Sequence, residues 1–194
     1  MNAKQERLEE LYKKHRNNPH SPLIVDHNPR IIFGEGSADA TVMFVGEAPG
    51  RDEDIQGRPF VGRSGQLLNK TLEKCGIARP DVFITNIVKT RPINNRTPNE
   101  QETARSLPVL LEQIDIIKPT IICTLGACAA AALLQKPISI TKLHGYAIPF
   151  GNCILVPTYH PAYILRDPNS YQYFLADIEF AIQMAKKAQK QTIV

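Results

Sequence analysis

Four short apolar runs punctuate the chain: Thr41–Val45, Val82–Asn86, Thr120–Thr124 and Ile154–Pro157. The first three show no polar–apolar alternation, the pattern of strands covered on both faces. Between them the apolar spacing becomes helical. Residues 2–16 place Leu8, Leu11, Tyr12 and His15 on one face, with Asn2 available as a cap. Residues 64–75 align Leu68, Leu72 and Cys75, and Gly76 supplies a left-handed stop. Thr97-Pro98-Asn99-Glu100 reads as a capping box that starts a helix to about Ile117, with Pro108 expected to kink it. A short helix is predicted over 126–134. A final helix, capped by Ser170, turns Phe174, Ile178, Ala181 and Ile182 inward. Tyr146–Phe150, Gly151-Asn152 and Cys153–Val156 read as a hairpin that brings in the last strand. The alternation predicts an α/β fold, a three-layer α/β/α sandwich on a central, mainly parallel four-stranded sheet. One domain is expected over 1–194, with 1–30 forming an N-terminal helix and connector.

Composition narrows the class without choosing a function. With 194 residues, 43% hydrophobic and 22% charged, the chain is long enough for a sizeable core and unlike disordered or fibrous sequences. No apolar run reaches the roughly 18–20 residues of a membrane helix. The charged first 18 residues lack the apolar stretch of a signal peptide, so a cytoplasmic protein is expected. Cys75, Cys123, Cys128 and Cys153 form no CxxC pair and stand in or against apolar runs, as buried thiols do. A net charge of +4 permits a nucleic-acid partner without requiring one.

In a parallel sheet ligands bind beyond the carboxyl ends of the strands. The first strand runs into Gly46-Glu47-Ala48-Pro49-Gly50-Arg51-Asp52-Glu53-Asp54 and then Gly57-Arg58-Pro59-Phe60-Val61-Gly62. This segment is too acidic for a phosphate cradle and has no P-loop Lys-Ser/Thr. It reads either as a solvated acidic turn or as a site, the latter because Glu47 directly follows a buried strand. The second strand ends in Thr85-Asn86; Asn offers the donor and acceptor needed to read a base edge, or else it only caps a turn. The last strand enters Thr158-Tyr159-His160-Pro161-Ala162-Tyr163-Ile164-Leu165-Arg166, unusually apolar for a surface loop.

Together with Phe33-Gly34-Glu35-Gly36, ITNIVKTRP, NNRTPNEQE and Leu125-Gly126, these segments resemble the uracil-DNA glycosylase superfamily, and its type-4 enzymes in particular, over roughly residues 17–185. The resemblance implies a hydrolase of N-glycosyl bonds: a monofunctional glycosylase of base excision repair that flips uracil out of DNA and leaves an abasic site. It implies Phe60 as the aromatic stacked on the base and Asn86 at the uracil edge, with Gly46 and Ala48 beside the substrate. His160 corresponds to the donor to uracil O2. Ala48 stands where another branch of the superfamily has Asp, so Glu47, or secondly Glu53, is the candidate for orienting water; Glu53 alternatively shapes the pocket against a thymine methyl. Ile164 or Leu165 corresponds to the residue inserted into the stack, and Arg58, Arg63, Lys89, Arg91, Arg96 and Arg166 to phosphate contacts.

The type-4 pattern also implies a four-iron cluster on four cysteines. The matching positions here are Asn18, Ser21, Thr90 and Ser106, which cannot replace thiolates. No cluster and no metal are therefore expected, with local hydrogen bonds and packing holding residues 17–30 against the helix carrying Ser106. INNRTPNE lacks the His-bearing insert of the covalent uracil-trapping variant, which disfavours covalent capture. The expected partner is uracil-containing DNA, bound by a monomer and away from membranes. The alternatives are a non-catalytic DNA- or damage-binding relative that lost cluster and activity, and a small-molecule hydrolase on the same scaffold.

Overall fold

The computed structural model describes residues 2–26 and 28–192. Helix α1 (Ala3–Arg16) starts at Asn2, whose side chain accepts the Lys4 N–H, and it buries Leu8, Leu11 and His15. Strand β1 (Glu35–Gly36) is followed by β2 (Val42–Gly46), helices α2 (Arg51–Gln56) and α3 (Arg63–Lys74), and β3 (Phe83–Asn86). Next come α4 (Glu100–Ile117), β4 (Ile121–Leu125), α5 (Ala127–Leu134) and α6 (Ile140–Leu143). Strands β5 (Ile148–Phe150) and β6 (Cys153–Thr158) and helices α7 (Pro161–Ile164) and α8 (Tyr171–Thr192) complete the order.

The sheet has six strands in the order β1-β3-β2-β4-β6-β5, two more than the expected four. The four apolar runs form its parallel centre, whereas β1 and β5 pair antiparallel at the two edges. β1 is two residues long and contains Gly36, too short to leave a periodic signal. β5 is the outer arm of the expected hairpin, closed at Gly151 (φ 56°).

Strict alternation divides the core between the two faces. Met43 and Val45 of β2 pack with α1, α4 and α5, whereas Val42 and Phe44 pack with α3 and α8. This is the three-layer α/β/α sandwich expected from the apolar pattern. β3 and β4 flank β2 on opposite sides, so the chain reverses its winding direction at β2 and a crevice opens at Gly46.

Two helix starts differ from expectation. The box of α4 is Asn99 with Glu102, one side chain accepting the Glu102 N–H at 2.9 Å and the other accepting the Asn99 N–H at 2.8 Å. Thr97 fits the same motif two residues earlier, but Glu102 gains a second partner in Arg96 at 2.5 Å, which favours the later register. Ser170 does not cap α8; its hydroxyl donates to Asp167 at 2.7 Å. Helix α4 continues through Pro108 without interruption.

Candidate active site

The carboxyl ends of β2, β3 and β6 surround a cavity of about 610 Å3. Glu47, Ala48, Glu53, Phe60, Asn86, Arg96, His160 and Arg166 line it, together with Pro49, Gly50, Ser64, Pro92, Asn95, Thr97, Ala162 and Tyr163, to which sequence reasoning gave no site role. Gly46 lies against two of these residues, Asn86 and Phe60. A Cβ on it would lie 2.4 Å from Asn86 Oδ1 and 2.5 Å from Phe60 Cζ, so only glycine lets the ring and the amide meet there.

Phe60 is held by its backbone. It takes a left-handed conformation (φ 50°), and a Cβ at Gly65 would fall 1.8 Å from its carbonyl oxygen. Arg79 donates to the carbonyls of Pro59 (2.5 Å) and Phe60 (3.1 Å). Glu53 closes the other side: Oε1 accepts the Val61 and Gly62 N–H groups at 2.9 and 2.8 Å, and Oε2 accepts that of Gly50 at 3.1 Å. Its carboxylate thus organises the turn that presents Phe60. Neither Gly65 nor Arg79 announces itself in the sequence, because both act on main-chain atoms of a turn.

Glu47 is differently placed. Burial lifts its carboxyl above the ordinary carboxylate range, opposed by hydrogen bonds from the Cys128 thiol and the Thr97 hydroxyl. Burial and the neighbouring Glu47 push the Cys128 thiol up to about 12, so it remains a donor. Asn86 is 1% exposed, and its Oδ1 has no hydrogen-bond partner. A buried amide oxygen left open at a cavity is costly unless something enters to bond it.

His160 caps the short α7, its Nδ1 accepting the Ala162 N–H at 3.1 Å. Burial lowers the imidazole to about 4, Arg166 acting in the same direction and Glu53 against it. The ring is therefore neutral near pH 7, and with Nδ1 accepting, its proton sits on Nε2. It lies 6.0 Å from the Phe60 ring, centroid to centroid. Gly126 (φ 95°) leaves room for it, since a Cβ there would come within 3.0 Å of His160 Cβ.

The expected phosphate contacts divide. Arg63 and Arg166 are exposed, and Arg166 borders the cavity. Arg58 makes two 2.7 Å bonds to Glu35, Arg91 bonds Asn95 at 2.7 Å, and Arg96 is paired with Asp26 and Glu102. Lys89 is fully enclosed and is no surface contact at all. Of the two candidates for insertion, Ile164 faces the core at 2% exposure, while Leu165 is 38% exposed. The turn of α7 puts the two on opposite sides.

A family model of the Uracil DNA glycosylase superfamily matches residues 33–181. The chain belongs to this superfamily. Among curated proteins, it is 47% identical over 161 residues to the type-4 uracil-DNA glycosylase of Thermotoga maritima, covering 81% of this chain and 84% of that one. It is 42% identical over 182 residues to the type-4 uracil-DNA glycosylase of Pyrobaculum aerophilum, covering 88% and 91%. A DNA polymerase of Bacillus phage SP01 is 31% identical over 157 residues, 80% of this chain but 17% of the polymerase.

The type-4 resemblance implies an iron–sulfur cluster, and the four residues that it aligns with the ligands, Asn18, Ser21, Thr90 and Ser106, do not fit one. Ser21 Oγ lies 3.0 Å from His15 Nδ1 and accepts the Leu23 N–H. Thr90 Oγ1 donates to the Leu23 carbonyl and accepts the Val25 N–H, both at 2.9 Å. Ser106 Oγ is buried without a partner, and Asn18 is exposed. These hydroxyls are neutral and, in two cases, already engaged; thiolates are what bind such iron. The clamp makes a prediction of its own. Thr90→Val conserves shape but strands two buried backbone groups, and should cost about 2–4 kcal/mol in urea denaturation. Unchanged stability would show that the clamp carries no load.

Proposed function

We propose that this protein is a uracil-DNA glycosylase working without an iron–sulfur cluster. The observation that carries the reading is the convergence of Asn86, with its open buried oxygen, neutral His160 and half-buried Glu47 around one cavity. Names of the curated relatives and superfamily membership point to the same chemistry. The cavity volume lies within the roughly 300–1,000 Å3 typical of small-ligand sites, room for a flipped nucleotide.

In this reading uracil leaves the helix and lies against Phe60, and the Asn86 amide bonds its Watson–Crick edge. Leu165 fills the space left in the stack, and Arg63 and Arg166 hold flanking phosphates. As the bond between the sugar C1′ and uracil N1 breaks, its electron pair passes to the base and negative charge gathers on O2. The Nε2–H of His160 donates to that oxygen. Glu47 steadies the cationic sugar and aligns water, which adds hydroxide to C1′; its other proton neutralises the departing base. Glu53 acts through the Phe60 turn.

The pH dependence should separate the two site residues. Neutral His160 persists down to about pH 4, so it sets no limb near 6.5. Glu47 must be ionised, so activity is present above its raised pKa and lost as pH falls through it. The acid limb of kcat/KM should therefore disappear in Glu47→Gln, along with about 10²-fold or more of the rate. An unchanged limb in that variant would remove Glu47 from the role.

Incubation with a single-uracil oligonucleotide followed by hot alkali tests the whole reading. Strand cleavage at the uracil is expected. Intact strands in both single- and double-stranded form would leave a non-catalytic DNA-binding relative.

A further inference from the structure

The side chain of Lys89 is fully buried, yet it meets no carboxylate among the described residues. Its Nζ donates to Thr85 Oγ1 at 2.6 Å, to Gln113 Oε1 at 2.5 Å and to the backbone carbonyl of Asn86 at 2.7 Å. Three acceptors match the three protons of an ammonium group, whereas a neutral amine would turn its lone pair on one of them. Burial pulls the Lys89 pKa well below the ordinary lysine value.

The network closes on itself. Thr85 Oγ1 and Gln113 Nε2 both donate to the Phe33 carbonyl, at 2.9 and 2.8 Å. The connector before β1, the end of β3 and the C-terminal half of α4 are thereby tied to one nitrogen. The peptide that it holds is the one whose side chain lines the cavity with an open oxygen. On its other side the same strand end is fixed to β2 by Ile87 N–H to Gly46 O (2.9 Å) and Val88 N–H to Glu47 O (3.0 Å).

We propose that Lys89 is a positioning residue for base recognition: it clamps the Asn86 peptide so that the Asn86 amide is already set at the uracil edge. This rests on the reading that Asn86 pairs with the base. A preset amide spares the complex the ordering that a mobile one would undergo on binding, and a displacement of about 1 Å at such a group can cost about 10²-fold.

The test is Lys89→Met, alone and combined with Asn86→Ala. Single-turnover excision of uracil by Lys89→Met should fall about 10–100-fold. Its affinity for DNA carrying an abasic-site analogue, which offers no base to Asn86, should stay within about twofold of the parent. In the Asn86→Ala background the same change should have almost no further effect, since the clamp then holds nothing that reads the base. Normal excision by folded Lys89→Met, equal loss of abasic-DNA binding, or fully additive losses in the double variant would each overturn the proposal. If Asn86→Ala itself excises normally, base reading by Asn86 falls first, and the clamp with it. Should Lys89→Met not fold, Lys89→Gln takes its place. Failure of both to fold, while Asn86→Ala folds, would assign Lys89 to stability and end the proposal.

Discussion

Asn86→Ala should lower kcat/KM for uracil excision by about 10³-fold while leaving the fold intact. Two polar groups on the uracil edge lose water on entering the cavity and then meet no partner, at about 1–3 kcal/mol each. Their sum, about 4 kcal/mol, corresponds to three powers of ten. The loss should be confined to the flipped base. Asn86 lies 1% exposed at a strand end, so binding to undamaged DNA, carried by basic groups on the surface, should be unchanged and should weaken steeply with salt. The structure already leaves Asn86 Oδ1 without a partner, so the truncation removes no native hydrogen bond of that atom. Measuring excision and thermal stability on the same preparation checks both halves. A folded variant with near-normal turnover would remove Asn86 from base reading.

His160→Ala should cost about 10²–10³-fold in kcat with little change in KM. Its Nε2–H meets charge that exists only as the glycosidic bond breaks, and loss of one such preorganised donor typically has this size. The structural cost is small. The side chain gives up one capping bond to the Ala162 N–H, worth about 1 kcal/mol. A parallel rise in KM would point to ground-state binding rather than to the departing base, and an unchanged kcat would leave the imidazole outside the chemistry.

The sequence could place both residues at the cavity because strand ends in a parallel sheet collect ligands and the strands themselves were plain, but the roles proposed for them came from the family resemblance. The central runs are apolar on both faces, and both faces are covered. What stayed hidden has a common cause. Lys89, grouped with phosphate-holding cations, is instead fully buried behind the site, since nothing in VKTRP shows which way a lysine turns. Arg79 and Gly65 serve the Phe60 turn through carbonyl contacts, which no residue pattern encodes. Ile164 ends a one-turn helix facing the core, and Leu165 is the exposed residue that caps it, a difference of one position that no pattern marks. The α4 start was ambiguous because Thr97 and Asn99 each stand three residues before a glutamate. Arg96 breaks the tie, and only folding brings Asp26 beside it to complete the cluster.

The measurement that bears most directly on the site is single-turnover release of free uracil from DNA by the protein as purified, side by side with Asn86→Ala and His160→Ala. Release by the parent chain, slowed at least about 100-fold in both variants with matching melting curves, is the expected result. No release by the parent, or equal rates in all three, would contradict the assignment of this cavity.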